Sequence, residues 1–272
     1  MYLISDFLYL VLYKIVGYRK QVVFENLKNS FPDKSRDELK LIEKKFYRFL
    51  CDLFLETIKI LTISKKQMLA HCTLTDNTKK IFNDLNEQKK PCVAVLGHYA
   101  NWEWACHGYS CIIPMQLYAI YHPLSNKGFN GLIYKLRTRF GTKLYAMNDV
   151  LREMIKNKNE INTTAFIADQ TPPPEGAYWM NFLNQDTPIF VGTEKIAKKF
   201  NYPVVFISIK RVKRGYYVLD GEILSLDPKN TADGEITSLH TKRLEKDIIA
   251  NPELWLWSHR RWKHKRKKES QE

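Results

Sequence analysis

The feature that most restricts this chain is a change of pattern at Pro91. Cys92-Val93-Ala94-Val95-Leu96 is a short unbroken apolar run, the form taken by a strand buried on both faces. Comparable runs follow at Gln116 to Tyr121, Lys143 to Ala146, Thr163 to Ala168 and Val204 to Lys210. Between them lie stretches with helical character near Trp102 to Ser110, Lys127 to Phe140, Asp149 to Asn157 and Gly192 to Phe200. Strand and helix in alternation specify an α/β domain, expected here as a mixed, largely parallel central sheet flanked by helices. In such sheets ligands sit beyond the carboxyl ends of the strands, so function is expected in the residues that directly follow each apolar run.

Upstream of Pro91 the pattern is helical. Ser35 is placed to cap a long segment in which Leu39, Ile42, Phe46, Phe49, Leu50, Leu53, Phe54, Ile58 and Leu61 recur every three or four residues, an apolar stripe of the kind that faces a core. A polar helix is expected from Asp76 to Gln88. Met1 to Val16 is apolar and aromatic, but Asp6 and Lys14 interrupt it, and a bilayer crossing needs about 20 predominantly apolar residues. An interfacial helix or short anchor fits better, with Tyr2, Tyr9, Tyr13 and Tyr18 at the membrane boundary; packing against its own domain is the competing reading. The expected organisation is a membrane-associating helical region over 1–90, an α/β domain over 91–263 and a basic tail over 264–272. No segment of the 272 residues repeats at a fixed period, which excludes solenoids and propellers.

Charge narrows the partners. The chain has 43 Lys and Arg against 29 Asp and Glu, a formal net charge of +14. Arg260, Arg261, Lys263, Lys265, Arg266, Lys267 and Lys268 supply half of that excess within one acid-free decade. Anionic lipid, an acidic carrier protein and nucleic acid would all be attracted, but no nucleic-acid-binding signature precedes the tail, so nucleic acid is not expected as a partner. The five cysteines are odd in number and form no C-x-x-C pair, so they are expected to be reduced, mostly buried thiols. The first residues lack the pattern of a secretory signal, and a cytoplasmic face is expected.

Two strand ends carry chemistry. The first apolar run leads into Gly97-His98-Tyr99-Ala100-Asn101-Trp102-Glu103, and the fourth into Asp169-Gln170-Thr171-Pro172. His98 and Glu103 cannot share one helix face at a spacing of five. They can meet if His98 lies in the loop and Asn101 caps a helix whose first turn carries Glu103. An imidazole held by a carboxylate is a general base for a hydroxyl. Gly-x-Ser-x-Gly is absent, and the apolar surroundings of Cys92, Cys106 and Cys111 suit buried thiols better than nucleophiles. Phosphate-cradling glycine loops and spaced Cys/His zinc sets are also missing, so neither cofactor nor metal is expected. Lys135, Arg137 and Arg139 read as solvated charges on an amphipathic helix, although the two arginines could instead offer a bidentate fork to a phosphate, and Asp169 reads either as a turn residue or as part of the site. Trp102, Trp104, Tyr118 and Phe182 are candidates to line an apolar groove. His259, Arg260 and Arg261 join Trp255, Trp257 and Trp262 in a polar and aromatic patch expected beside the site.

The run from Leu96 to Glu103 resembles the histidine, four residues, acid motif of the lysophospholipid acyltransferase superfamily, in the aromatic-rich form of the late acyltransferases of lipid A biosynthesis. Arg137 to Gly141 looks like that family's arginine motif, Ala168-Asp169-Gln170 like its Asp-Gln motif, and Pro252 to Lys263 like its C-terminal signature, so the resemblance spans roughly Tyr18 to Lys263. It implies a glycerolipid acyltransferase-like fold and transfer of an acyl group from an acyl carrier protein or coenzyme A thioester to a hydroxyl of a lipid A precursor. The implied setting is the cytoplasmic face of the inner membrane; a lysophospholipid or aminolipid is the alternative acceptor. By motif, His98 is the implied base and Glu103 its partner. Arg137 or Arg139 is a phosphate or transition-state contact and Asp169 shapes the site; Asn101, Gln170, His259, Arg260 and Arg261 complete the implied substrate-binding set.

Overall fold

The computed structural model describes residues 1–266; Lys267 and Lys268 of the expected basic tail lie outside them. In chain order the elements are α1 (Tyr2–Tyr9), a π-helical continuation (Leu10–Val16), α2 (Lys20–Ser30), α3 (Arg36–Lys59), α4 (Lys65–His71), β1 (Cys72–Leu74), α5 (Asp76–Glu87) and β2 (Cys92–Leu96). Then follow α6 (Trp102–Ile112), β3 (Gln116–Tyr121), α7 (Lys127–Thr138), β4 (Lys143–Ala146), α8 (Val150–Lys156), β5 (Asn162–Ile167) and a hairpin of β6 (Tyr178–Phe182) and β7 (Gln185–Ile189). The chain continues through α9 (Gly192–Phe200), β8 (Val204–Lys213), β9 (Tyr216–Ser225) and α10 (Glu235–Ala250). This is the expected α/β fold with an N-terminal helical region.

Seven strands form one sheet in the order β1-β9-β8-β2-β5-β3-β4. Pairing is parallel throughout except between β8 and β9. The buried apolar run of β2 lies between β8 and β5, so both faces need greasy side chains, and every residue from Cys92 to Leu96 is buried. The chain leaves β2 for β3, two places away, and β5 later enters between them. This change of direction opens a crevice at the carboxyl ends of β2 and β5. Helices α9 and α10 contact β2, while α6 packs on β1 and β3. The hairpin, β1, β9 and α10 are elements that the apolar runs did not announce. In β9, buried positions alternate with more open ones and Asp220, Gly221 and Glu222 break the pattern, so it never reads as a continuous apolar run.

The N-terminal helices share the core of the sheet domain, and β1 adds a strand to its sheet. Ser35 caps α3 through a full capping box with Glu38. On the inner face of α3, Glu56 is fully buried and accepts hydrogen bonds from Tyr2 Oη at 2.8 Å, Tyr217 Oη at 2.7 Å and Asn101 Nδ2 at 2.7 Å. Burial is the largest influence on this carboxyl and raises its pKa; the donors from Tyr217, Tyr2 and Asn101 oppose that rise. One turn earlier, Asp52 accepts from Ser5 Oγ at 2.6 Å and from Arg214 Nη2 at 2.6 Å, and Arg214 reaches on to Asp6.

These contacts correct the expected arrangement of the leading helix. Tyr2 turns inward to Glu56, and Tyr9 and Tyr13 are buried, stacked on one another and against Tyr47; of the four tyrosines only Tyr18 is classed as exposed. The hydroxyl that would suit a membrane boundary instead satisfies a buried acid. The outward face carries Leu3, Ile4, Phe7 and Leu10, followed by Ile15 and Val16. Among the described residues no helix is long and apolar enough to cross a membrane.

Replacing Glu56 by Ala strips three donors of their shared acceptor. We expect a loss of about 3–5 kcal/mol of stability, measured by urea unfolding, whereas Leu3→Ser on the outward face of α1 should change it by less than about 0.5 kcal/mol.

Candidate active site

Strand register brings the two polar segments together. Leu96 of β2 is paired with Ile167 of β5, and Ala168 N–H donates to Leu96 O at 3.1 Å. Two residues further along each strand, His98 stands opposite Asp169. The carboxylate accepts the His98 backbone N–H at 2.8 Å through Oδ2 and pairs with the ring Nδ1 at 2.7 Å through Oδ1. Trp255 Nε1 donates to Oδ2 at 2.8 Å. Glycine at 97 eases the close passage of the loop by α10, since a Cβ there would lie 2.6 Å from Leu244 Cδ2 and 3.2 Å from Asp169 Oδ2. Ala100 takes a left-handed φ of +50°, an uncommon state for a residue with a Cβ, and its N–H donates to Leu254 O at 2.8 Å.

The histidine therefore has a different partner from the one its spacing suggested. Asn101 does cap α6, accepting Trp104 N–H at 2.9 Å, and Glu103 does sit in the first turn. But at that position Glu103 faces α7, where it accepts a forked pair from Arg137, Nε at 3.1 Å and Nη2 at 2.5 Å. The adjacent parallel strand, not the next helical turn, supplies the acid for His98. Asn101 is fully buried with its amide divided between Trp104 and Glu56, so it shapes the loop and does not face a ligand. Arg139 points the other way from Arg137, donating to the Ile60 carbonyl with its guanidinium over the Phe140 ring.

A cavity of about 720 Å³ opens in front of the imidazole. His98, Glu103, Arg137, Gln170 and Thr171 are among its polar groups, with His107, His122, Asn130, Thr142 and Thr193 elsewhere in the lining. Trp102, Ile120, Tyr121, Leu124, Phe129, Ile133, Met147, Val150, Phe166, Phe190 and Ile196 make most of its wall apolar. Trp102 meets the His98 ring edge to face at 5.0 Å, and Gln170 Nε2 lies 3.4 Å from His98 Nε2. Of the aromatic residues proposed as lining, only Trp102 borders this space; Trp104, Tyr118 and Phe182 are buried in the core. Cys106 also borders it, but burial pushes its thiol up to about 12, which removes it as a nucleophile at neutral pH.

The C-terminal signature packs behind the site. His259 Nε2 lies 3.3 Å from Thr171 Oγ1, and burial lowers the pKa of this ring. Arg260 is exposed and contributes its carbonyl towards Thr171 at 3.4 Å. Arg261 is buried, so the expectation that it contacts substrate does not hold; its Nη2 donates to Pro188 O at 2.8 Å. Burial would raise the Asp169 pKa, but the neighbouring His98 and the three hydrogen bonds outweigh it and hold the carboxyl down at about 2.

With Nδ1–H directed at Asp169, the ring presents Nε2 to the cavity as the acceptor, and the Gln170 amide faces that nitrogen as a donor. An imidazole so held can take a proton from a ligand hydroxyl and return it. A family model described as bacterial lipid A biosynthesis acyltransferase matches residues 3–264, nearly the whole chain. No curated protein matches the sequence.

Because its pKa is about 2 in the fold against 3.8 unfolded, Asp169 contributes stability that is present above pH 4 and lost as the pH falls through 2. Asp169→Asn should flatten acid unfolding in that window, by on the order of 2 kcal/mol, in a pH series of thermal melts.

Proposed function

The chain belongs to the bacterial lipid A biosynthesis acyltransferase family and is an acyltransferase, and we propose that His98 and Asp169 form the dyad that moves its acyl group. The observation that carries this reading is the Nδ1 pairing at 2.7 Å, which turns Nε2 to the wall of a largely apolar cavity beside the Gln170 amide. An acceptor hydroxyl gives its proton to Nε2 as its oxygen attacks the thioester carbonyl. Asp169 stays ionised and stabilises the imidazolium, which then returns the proton to the departing thiolate. The Gln170 amide, next to Nε2, is positioned to donate to the oxyanion of the tetrahedral intermediate.

The apolar wall suits the acyl chain, since pockets of roughly 300–1,000 Å³ lined by such side chains bury most of a ligand of that size. Arg137 is held by Glu103 and remains about one-third exposed, at 31%, which suits a phosphate on the acceptor. The acceptor we propose is a hydroxyl of a lipid A precursor, and the donor a thioester of acyl carrier protein or coenzyme A. The setting we propose is the cytoplasmic face of the inner membrane. Phe54 and Ile58 on α3 and Leu61 just beyond it, expected to face the core, are instead exposed; with the outward apolar face of α1 and the net charge of +14 they favour an anionic bilayer surface.

Purified His98→Ala and Asp169→Asn should each lose about a hundredfold or more in acyl transfer, followed by mass spectrometry of the lipid product, while their circular dichroism stays unchanged. Full turnover by a folded His98→Ala protein would end this reading. Replacing Phe7 and Leu10 by Ser should weaken sedimentation with anionic vesicles, and raising the salt should weaken the wild type; binding indifferent to both changes would exclude the membrane assignment.

A further inference from the structure

Arg261 is 1% exposed, yet a single neutral carbonyl, Pro188 O, accepts from it; its Nε and Nη1 have no hydrogen-bond partner. A guanidinium removed from water is costly unless an anion faces it. The buried side chain borders a small space of about 10 Å³ behind the dyad, shared with Asp169, His240 and Thr241. Among the described residues around that space, Asp169 is the one acid. The carboxylate thus stands between an imidazole in front and a cation behind.

We propose that Arg261 is a positioning residue for the His98–Asp169 pair: its fixed charge behind Asp169 tempers the pull of that carboxylate on a proton at His98 while substrate fills the cavity in front. The assignment rests on the dyad proposed above. It uses a residue that the substrate cannot reach, and gives the C-terminal strap, Pro252 to Lys263, a part in the chemistry. The charged and titratable groups around the carboxylate come from three elements. His98 comes from the loop after β2. His240 comes from α10, where burial drives its pKa down to about 4 and leaves it neutral. His259 and Arg261 come from the strap, with Lys263 at its end. Of these, Arg261 is the permanent positive charge that borders the space behind Asp169. Its removal makes protonation of His98 easier and so moves the ring's titration upward.

Arg261→Gln can still donate to Pro188 O but has no charge, whereas Arg261→Lys keeps the charge and loses the fork. Histidine NMR titration, with His98→Ala to assign the signal, should place the His98 midpoint of Arg261→Gln about 0.5–1.5 pH units above wild type. Arg261→Lys should stay close to wild type. The acid limb of kcat should shift in parallel with little change in KM, a split that a purely structural arginine would not produce. A folded Arg261→Gln protein with an unmoved midpoint overturns the proposal. If that variant does not fold, Arg261→Lys decides alone: an upward shift despite the retained charge overturns it, and an unmoved midpoint supports it. The titration does not depend on turnover, so failure of wild-type acyl transfer would count against the functional reading and not against this one.

Discussion

The carboxylate of Asp169 accepts three hydrogen bonds, and two of them come from His98, one from its ring and one from its backbone. That double hold does more than orient an imidazole. It fixes the path of the loop leaving β2, which in turn sets where Asn101 begins α6 and where Glu103 meets Arg137. The third bond, from Trp255, ties the same oxygen to the C-terminal strap, which also receives the Ala100 N–H. Loop, central strands and strap are closed around one buried anion, and the local backbone strain at Ala100 persists because the surroundings leave no other route.

Much of this architecture was legible in the residues. Unbroken apolar runs located β2, β3, β4 and β5 to within a residue, because a strand buried on both faces has little freedom of composition. The cap at Asn101 was equally readable, since an Asn before a helix satisfies a backbone donor that nothing else reaches. Strands that are half exposed or lie outside the main sheet, such as β9 and the β6–β7 hairpin, carry no such compositional demand and were missed.

The partner of the histidine was missed for a different reason. Local spacing offers Glu103, while the real contact depends on β5 pairing with β2 after β3 and β4 have intervened in sequence. Both segments were picked out by their place after apolar runs; only their adjacency was hidden. A signal existed in retrospect: Asp169 and His98 each lie two residues beyond the paired ends of their strands, and parallel neighbours put such positions side by side. The burial of Arg261 was equally unreadable, because a stretch of basic residues looks solvated until the fold shows which of them is enclosed.

Glu56 links two parts of the molecule, the leading helix and the start of α6. One oxygen holds the leading helix through Tyr2; the other holds the cap of α6 through Asn101. Peeling the first helix away would admit water to this carboxylate and loosen its grip on the residue that starts α6, two positions before Glu103. Displacement of the leading helix and slackening of the loop that carries His98 are thus mechanically joined, and a protein stripped of that arm would forfeit the alignment of α6.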